Sequence, residues 1–148
     1  MFAVLDCGTT TTRVYIVDEN RSILASGREK VGVRDTAITG SRDTLRSGIT
    51  KLFRETLSTL GLEETDISYV IASGMITSEL GLMEIPHLVA PAGLHELAES
   101  IYEAKSGEVL PIACPVYFIR GIRNDYGTDV RAEKLRTVDF MRGEEAQV

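Results

Sequence analysis

The chain has 148 residues, with 16 Lys and Arg against 22 Asp and Glu, and a formal net charge of −6 at pH 7. A single domain of roughly 100–200 residues fits that length, and 43% hydrophobic with 26% charged residues excludes disordered and collagenous classes. An acidic chain lacks the broad basic footprint that nucleic acid or an anionic membrane surface demands, and its apolar runs fall well short of the ~20 residues of a bilayer-spanning helix.

In chain order, Phe2 to Asp6 is a short apolar run, and Asp6 interrupts it where the core of a secretory signal would continue. The polar turn 8–12 follows, then a β-rich run from Arg13 to Asp18, turn chemistry at Asp18-Glu19-Asn20-Arg21, and a third strand from Ser22 to Gly27. Together these predict an antiparallel meander. Residues 31–40 hold Gly32, Asp35, Thr39 and Gly40 without a clear period and read as a loop. A helix is expected from Ser41, with Leu45, Ile49, Leu52, Phe53, Leu57 and Leu60 on one face and Gly61 closing it.

Tyr69 to Ser73 is too brief for a helix and ends at Gly74, which predicts a buried strand feeding a loop, with a helical turn over 77–83. From Ala92, helical spacing of Leu94, Leu97, Ala98, Ile101 and Tyr102 runs until Ser106-Gly107. Val109 to Ala113 and Val116 to Ile119 are β-prone, 124–136 reads as a polar loop, and 138–148 as the start of a helix. The expected fold is one mixed α/β domain over 1–148, and a chain ending within a helical pattern suggests part of something longer. Cys7 and Cys114 stand far apart with no metal-ligand spacing, so buried thiols in a reducing, cytoplasmic setting are expected.

The chemistry-bearing stretch is Asp6-Cys7-Gly8-Thr9-Thr10-Thr11-Thr12-Arg13, a hairpin tip between two strands. Successive backbone N–H groups and hydroxyls can cradle phosphate oxygens, Gly8 permits close approach, and Asp6 can hold Mg²⁺ through water. The plain alternative is a polar turn between two strands. No GK[ST] follows, so it is not a Walker A loop, and it lacks the GxGxxG of a dinucleotide-binding turn.

Asp-x-Gly-Thr-Thr-x-x-Arg after an N-terminal strand resembles the first phosphate motif of the sugar kinase, actin and Hsp70 superfamily. The segments Ala72 to Gly81, Pro91 to Leu94, and Asp139-Phe140-Met141-Arg142-Gly143-Glu144-Glu145-Ala146-Gln147 are similar to the 2-dehydro-3-deoxygalactonokinase family. Two departures are Cys7, where family members often carry Trp, and the unmatched stretch 124–136.

The resemblance implies a ribonuclease-H-like mixed sheet that begins with the three-strand meander, with helices packed on it. It also implies that this is the N-terminal half of a two-domain kinase, whose C-terminal half carries the second phosphate motif and the adenosine-binding elements. The implied cofactors are ATP and Mg²⁺, and the implied partners are a small sugar acid and either the missing C-terminal domain or a homodimer partner.

Phosphoryl transfer asks for a loop for the phosphates, a metal ion and a carboxylate to take the acceptor's proton. The resemblance assigns the phosphates to Asp6, Gly8, Thr9, Thr10, Thr12 and Arg13, with Asp6 also the metal ligand. It assigns the base to Glu144, with Glu145 second, although acidic residues opening a helix are also stabilised by the macrodipole alone. A sugar acid's carboxylate suits guanidinium recognition, for which Arg123 is the first candidate, Arg142 the second, and Arg120 lies nearby. Met75 and Ser78 are candidates to line the sugar pocket. His87 and His95 stand at uninformative places, and Arg42, Arg46 and Arg54 are most simply solvated. The competing readings are a non-catalytic sugar-acid-binding or assembly domain, and a kinase for another carbohydrate.

Overall fold

The computed structural model describes residues 1–124. Strands β1 (Phe2–Cys7), β2 (Thr12–Val17) and β3 (Ile23–Glu29) form the expected antiparallel meander, with Asp6 opposite Arg13 and Cys7 opposite Thr12. Alternation places Ala3 and Leu5 with Val14 and Ile16 in the core. Beyond β1 the sheet becomes parallel through β4 (Val70–Gly74) and β7 (Val116–Phe118), and β6 (Tyr102–Ala104) closes the far edge antiparallel to β7. The order is therefore β3-β2-β1-β4-β7-β6, a ribonuclease-H-like mixed sheet. A separate two-stranded parallel sheet joins β5 (Leu88–Val89) to β8 (Ile122–Arg123).

Helix α1 (Val33–Thr39) corrects the loop expected over 31–40. The residues that suggested a loop are its caps. Gly32 is the N-cap, Asp35 reaches back to accept the Gly32 N–H at 2.9 Å, and Gly40 closes the helix at φ +69°. Helix α2 (Asp43–Ser58) carries the expected stripe, burying Leu45, Ile49, Leu52, Phe53 and Leu57 against the sheet, while Leu60 is partly exposed beyond its end.

The helix expected from Ala92 is shorter, α3 (Leu94–Glu99), because Tyr102 is drawn into β6 by pairing with Phe118. Val109 to Ala113 is no strand. Val109, Leu110 and Ile112 enter the core from a loop, so their apolar character serves burial and not strand pairing. The turn expected over 77–83 begins earlier, as a 3₁₀ turn at Met75–Thr77. Both cysteines are buried and outside any disulfide among the described residues, where no helix is long and apolar enough to cross a membrane.

Candidate active site

The parallel strands β1 and β4 end side by side, Asp6 beside Ser73 and Cys7 beside Gly74. Open α/β sheets gather ligands at such carboxyl ends, where the loops diverge. The Gly8 N–H donates to Thr11 O at 2.9 Å and closes the turn after β1.

The inner side of this turn is fastened to the rest of the fold. Val33 N–H donates to Gly8 O at 3.3 Å, Arg34 N–H donates to Thr9 O at 2.9 Å, and the Thr12 hydroxyl donates to Val31 O at 2.7 Å. Gly32 allows this approach, because a Cβ there would strike the Thr9 carbonyl. Thr9 and Thr10 are exposed, and among the described residues no hydrogen bond engages their hydroxyls. The outer side of the turn thus keeps the donors a phosphate would use. Thr12, expected among them, has a fully buried side chain whose hydroxyl braces the turn to Val31.

The Asp6 carboxylate lies 3.6 Å from the Arg13 guanidinium, with side chains 25% and 38% exposed respectively, so solvent reaches both. On its other flank Gly74 has φ +88°, and a Cβ there would strike Cys7 O and stand 3.1 Å from Asp6 Oδ1. Glycine is required on both counts, and it keeps the edge of Asp6 open. Among the described residues no group of three or more His, Cys, Asp or Glu forms a metal cage. One reachable carboxylate beside a donor-rich turn suits Mg²⁺, which keeps most of its waters and shares its remaining positions with phosphates.

Met75, 40% exposed, follows directly after Gly74, and the Ser78 hydroxyl donates to Met75 O at 2.7 Å. What holds this loop is Arg42, whose Nε donates to Gly81 O at 2.6 Å and whose Nη2 donates to Glu79 O at 2.9 Å. Arg46 and Arg54 likewise reach Val109 O and Pro111 O, and Arg54 also pairs with Glu64 at 2.6 Å. Solvent reaches all three arginines, as expected, yet each also holds a backbone carbonyl. Their backbone partners lie 37 to 63 residues away, which no sequence pattern signals.

Arg120 donates through Nε to Ser100 O at 2.9 Å, so it ties the end of α3 to the chain after β7. Arg123 is exposed on β8. Arg142, Glu144, Glu145 and the helix expected over 138–148 lie outside the described residues. A groove of about 470 Å³ runs along the outer side of α2, lined by Arg46, Lys51 and Arg54 among others, and uses none of the expected site residues. Its cations are already paired, Arg46 with Asp43, Lys51 with Glu29 and Glu55, and Arg54 with Glu64.

Strand order and the braced turn at the β1 and β4 ends define a ribonuclease-H-like domain with its polar face at the carboxyl ends of the parallel strands. The chain belongs to the 2-keto-3-deoxy-galactonokinase family, whose model matches residues 6–148. A solved structure from Sinorhizobium meliloti, provisionally assigned as a 2-dehydro-3-deoxygalactonokinase, is similar to 86% of this chain with a TM-score of 0.64 and 20% identity. The chain spans 36% of that protein's length. The activator of 2-hydroxyisocaproyl-CoA dehydratase from Clostridium difficile, with bound ADPNP, matches 49% of this chain and 23% of its own, at 25% identity and a TM-score of 0.38. No curated protein matches the chain.

Proposed function

We propose that this chain is the N-terminal domain of a two-domain, ATP-dependent kinase that phosphorylates the terminal hydroxyl of 2-dehydro-3-deoxy-D-galactonate. The observation that carries the reading is the family match, which begins at Asp6 and takes in the turn, the loop after β4 and the Met141–Gln147 segment. The S. meliloti structure supports the fold, and the shorter span of this chain is what a single domain of such a kinase would have.

In this reading the N–H groups and hydroxyls of Thr9 and Thr10 hold phosphate oxygens, Gly8 closes the turn that presents them, and Arg13 steadies Asp6 and adds positive charge beside them. Mg²⁺, carried by Asp6 with the nucleotide, would neutralise charge on the phosphoryl oxygens. Glu144, with Glu145 as the neighbouring choice, accepts the proton of the sugar's terminal hydroxyl. Arg123 and Arg142 receive the carboxylate of the acid, and Met75 and Ser78 line the pocket for its carbon chain.

A coupled assay for ATP turnover with the sugar acid tests this, run on the chain alone and on a two-domain protein in which a family C-terminal domain continues it. Calorimetric titration of the chain with the sugar acid accompanies the assay. Binding by the chain and turnover by the two-domain protein are expected. Turnover by the chain alone would overturn the half-enzyme arrangement. Sugar-acid binding with no turnover in either form would favour the binding-module reading, and preference for a neutral polyol would move the substrate.

A further inference from the structure

We propose that the segment 87–90 is a positioning clamp for Arg123, and that the ring of His87 is its fitted part. The inference rests on the reading of Arg123 as the carboxylate ligand and deepens it by naming what fixes that ligand in place.

Strand β8 has two residues and lies outside the six-stranded sheet, so it takes no ladder bond from β4 or β7. Its backbone is gripped from β5 instead. Leu88 N–H donates to Gly121 O at 2.9 Å, and Ala90 N–H donates to Arg123 O at 2.8 Å, one bond on each side of Ile122. The register sets Leu88 beside Ile122 and Val89 beside Arg123, and one step back brings His87 to Gly121. There the imidazole occupies the space that a side chain on residue 121 would need. A Cβ on Gly121 would stand 2.5 Å from His87 Cδ2 and 2.6 Å from His87 Nε2, well inside van der Waals contact. His87 is exposed, so a side chain at 121 swings the ring off the glycine into solvent and leaves β8, with Arg123 on it, held to β5 by the two ladder bonds alone.

A two-bond ladder is weak by itself, since isolated strand pairs are marginal in water. The ring against the glycine backbone adds packing where the ladder has least, two residues before the guanidinium that has to be aimed. His87 is thus a positioning residue that acts through β8. Displacement of a substrate-holding group by about 1 Å is enough to cost large factors in function.

Four variants test the clamp: G121A, H87A, the H87A/G121A double, and R123A. Two readouts are used, hydrogen exchange at the Leu88 and Ala90 amides and calorimetric affinity for 2-dehydro-3-deoxy-D-galactonate. G121A is expected to speed exchange at both amides and to weaken binding by about tenfold, with R123A weakening it at least as much. With the ring already off the glycine, the double variant should fall no further than H87A alone, which a general loss of folding would not do. R123A that loses affinity beside a G121A that keeps wild-type exchange and affinity overturns the clamp alone. R123A with wild-type affinity removes Arg123 from the site and overturns the clamp's role together with that assignment.

Discussion

Two buried threonines set the local energetics around the turn, and they behave oppositely. Thr12 donates its hydroxyl to Val31 O at 2.7 Å, whereas the Thr36 hydroxyl is buried without a partner among the described residues. Removing one partner of a buried hydrogen bond leaves the other stranded, at about 1–3 kcal/mol, while removing a hydroxyl that has no partner relieves a desolvation penalty. T12V should therefore lower stability by about 1–3 kcal/mol and T36V should be neutral or stabilising, as read from urea unfolding midpoints. The Cys114 thiol is pushed up to about 11, first by burial and then by the nearby Glu64 carboxylate. The thiol therefore stays protonated in the folded chain at a pH where the unfolded chain has already ionised. The stability this contributes is fully present below pH 9 and is lost as the pH rises towards 11. C114A should flatten the fall in unfolding midpoint between those limits relative to wild type. In the native chain at pH 8, Cys114 should resist an aromatic disulfide reagent until denaturant is added.

Arg42 illustrates how one side chain governs an element distant in sequence. Its two donors hold Gly81 O and Glu79 O, and through them the loop that carries Met75 and Ser78. R42A should destabilise the chain by about 1 kcal/mol, discounted for exposure, and should raise hydrogen exchange over 78–83 while leaving the β1–β2 ladder protected. Lys at this position can satisfy one carbonyl but not both in the same plane, so R42K should fall between. Elements with a period of their own were legible in the sequence: β1 to β4 from short apolar runs, α2 from a five-residue buried stripe. Helix α1 was not, because Gly32, Asp35 and Gly40 carry the same chemistry in a cap as in a loop. Tyr102 was misread because its helical spacing is overridden by a partner strand 16 residues on, at Phe118. Asp6 and the turn were legible as a motif, yet the burial of Thr12 was not, because the carbonyl that takes its hydroxyl, Val31 O, lies 19 residues on.

At the scale of the whole molecule, the carboxyl ends of β1, β4 and β7 lead into the 8–11 turn, the Met75 loop and the β8 strand, which in the proposed two-domain kinase would form one wall of the cleft. Catalysis of phosphoryl transfer is mostly positioning, and it depends on closure that excludes water and brings the γ-phosphate in line with the acceptor hydroxyl. One wall cannot supply that, so the 148-residue chain alone should bind the sugar acid but show no ATP-dependent turnover. In a two-domain protein the proposed roles separate kinetically. E144Q removes a proton acceptor used as the acceptor hydroxyl attacks, so kcat should fall by about 10²–10⁴-fold with little change in KM for the sugar acid. R123A removes a contact made equally to bound substrate and transition state, so KM for the sugar acid should rise by about ten- to a hundredfold with a smaller loss in kcat. D6N should depress kcat and raise the Mg²⁺ concentration needed for half-maximal rate, leaving sugar-acid affinity unchanged by calorimetry. Steady-state kinetics with sugar acid, ATP and Mg²⁺ varied in turn distinguishes the three. An E144Q enzyme with wild-type kcat would move the base to Glu145 or out of that segment, and a D6N enzyme with unchanged Mg²⁺ dependence would take the metal away from β1.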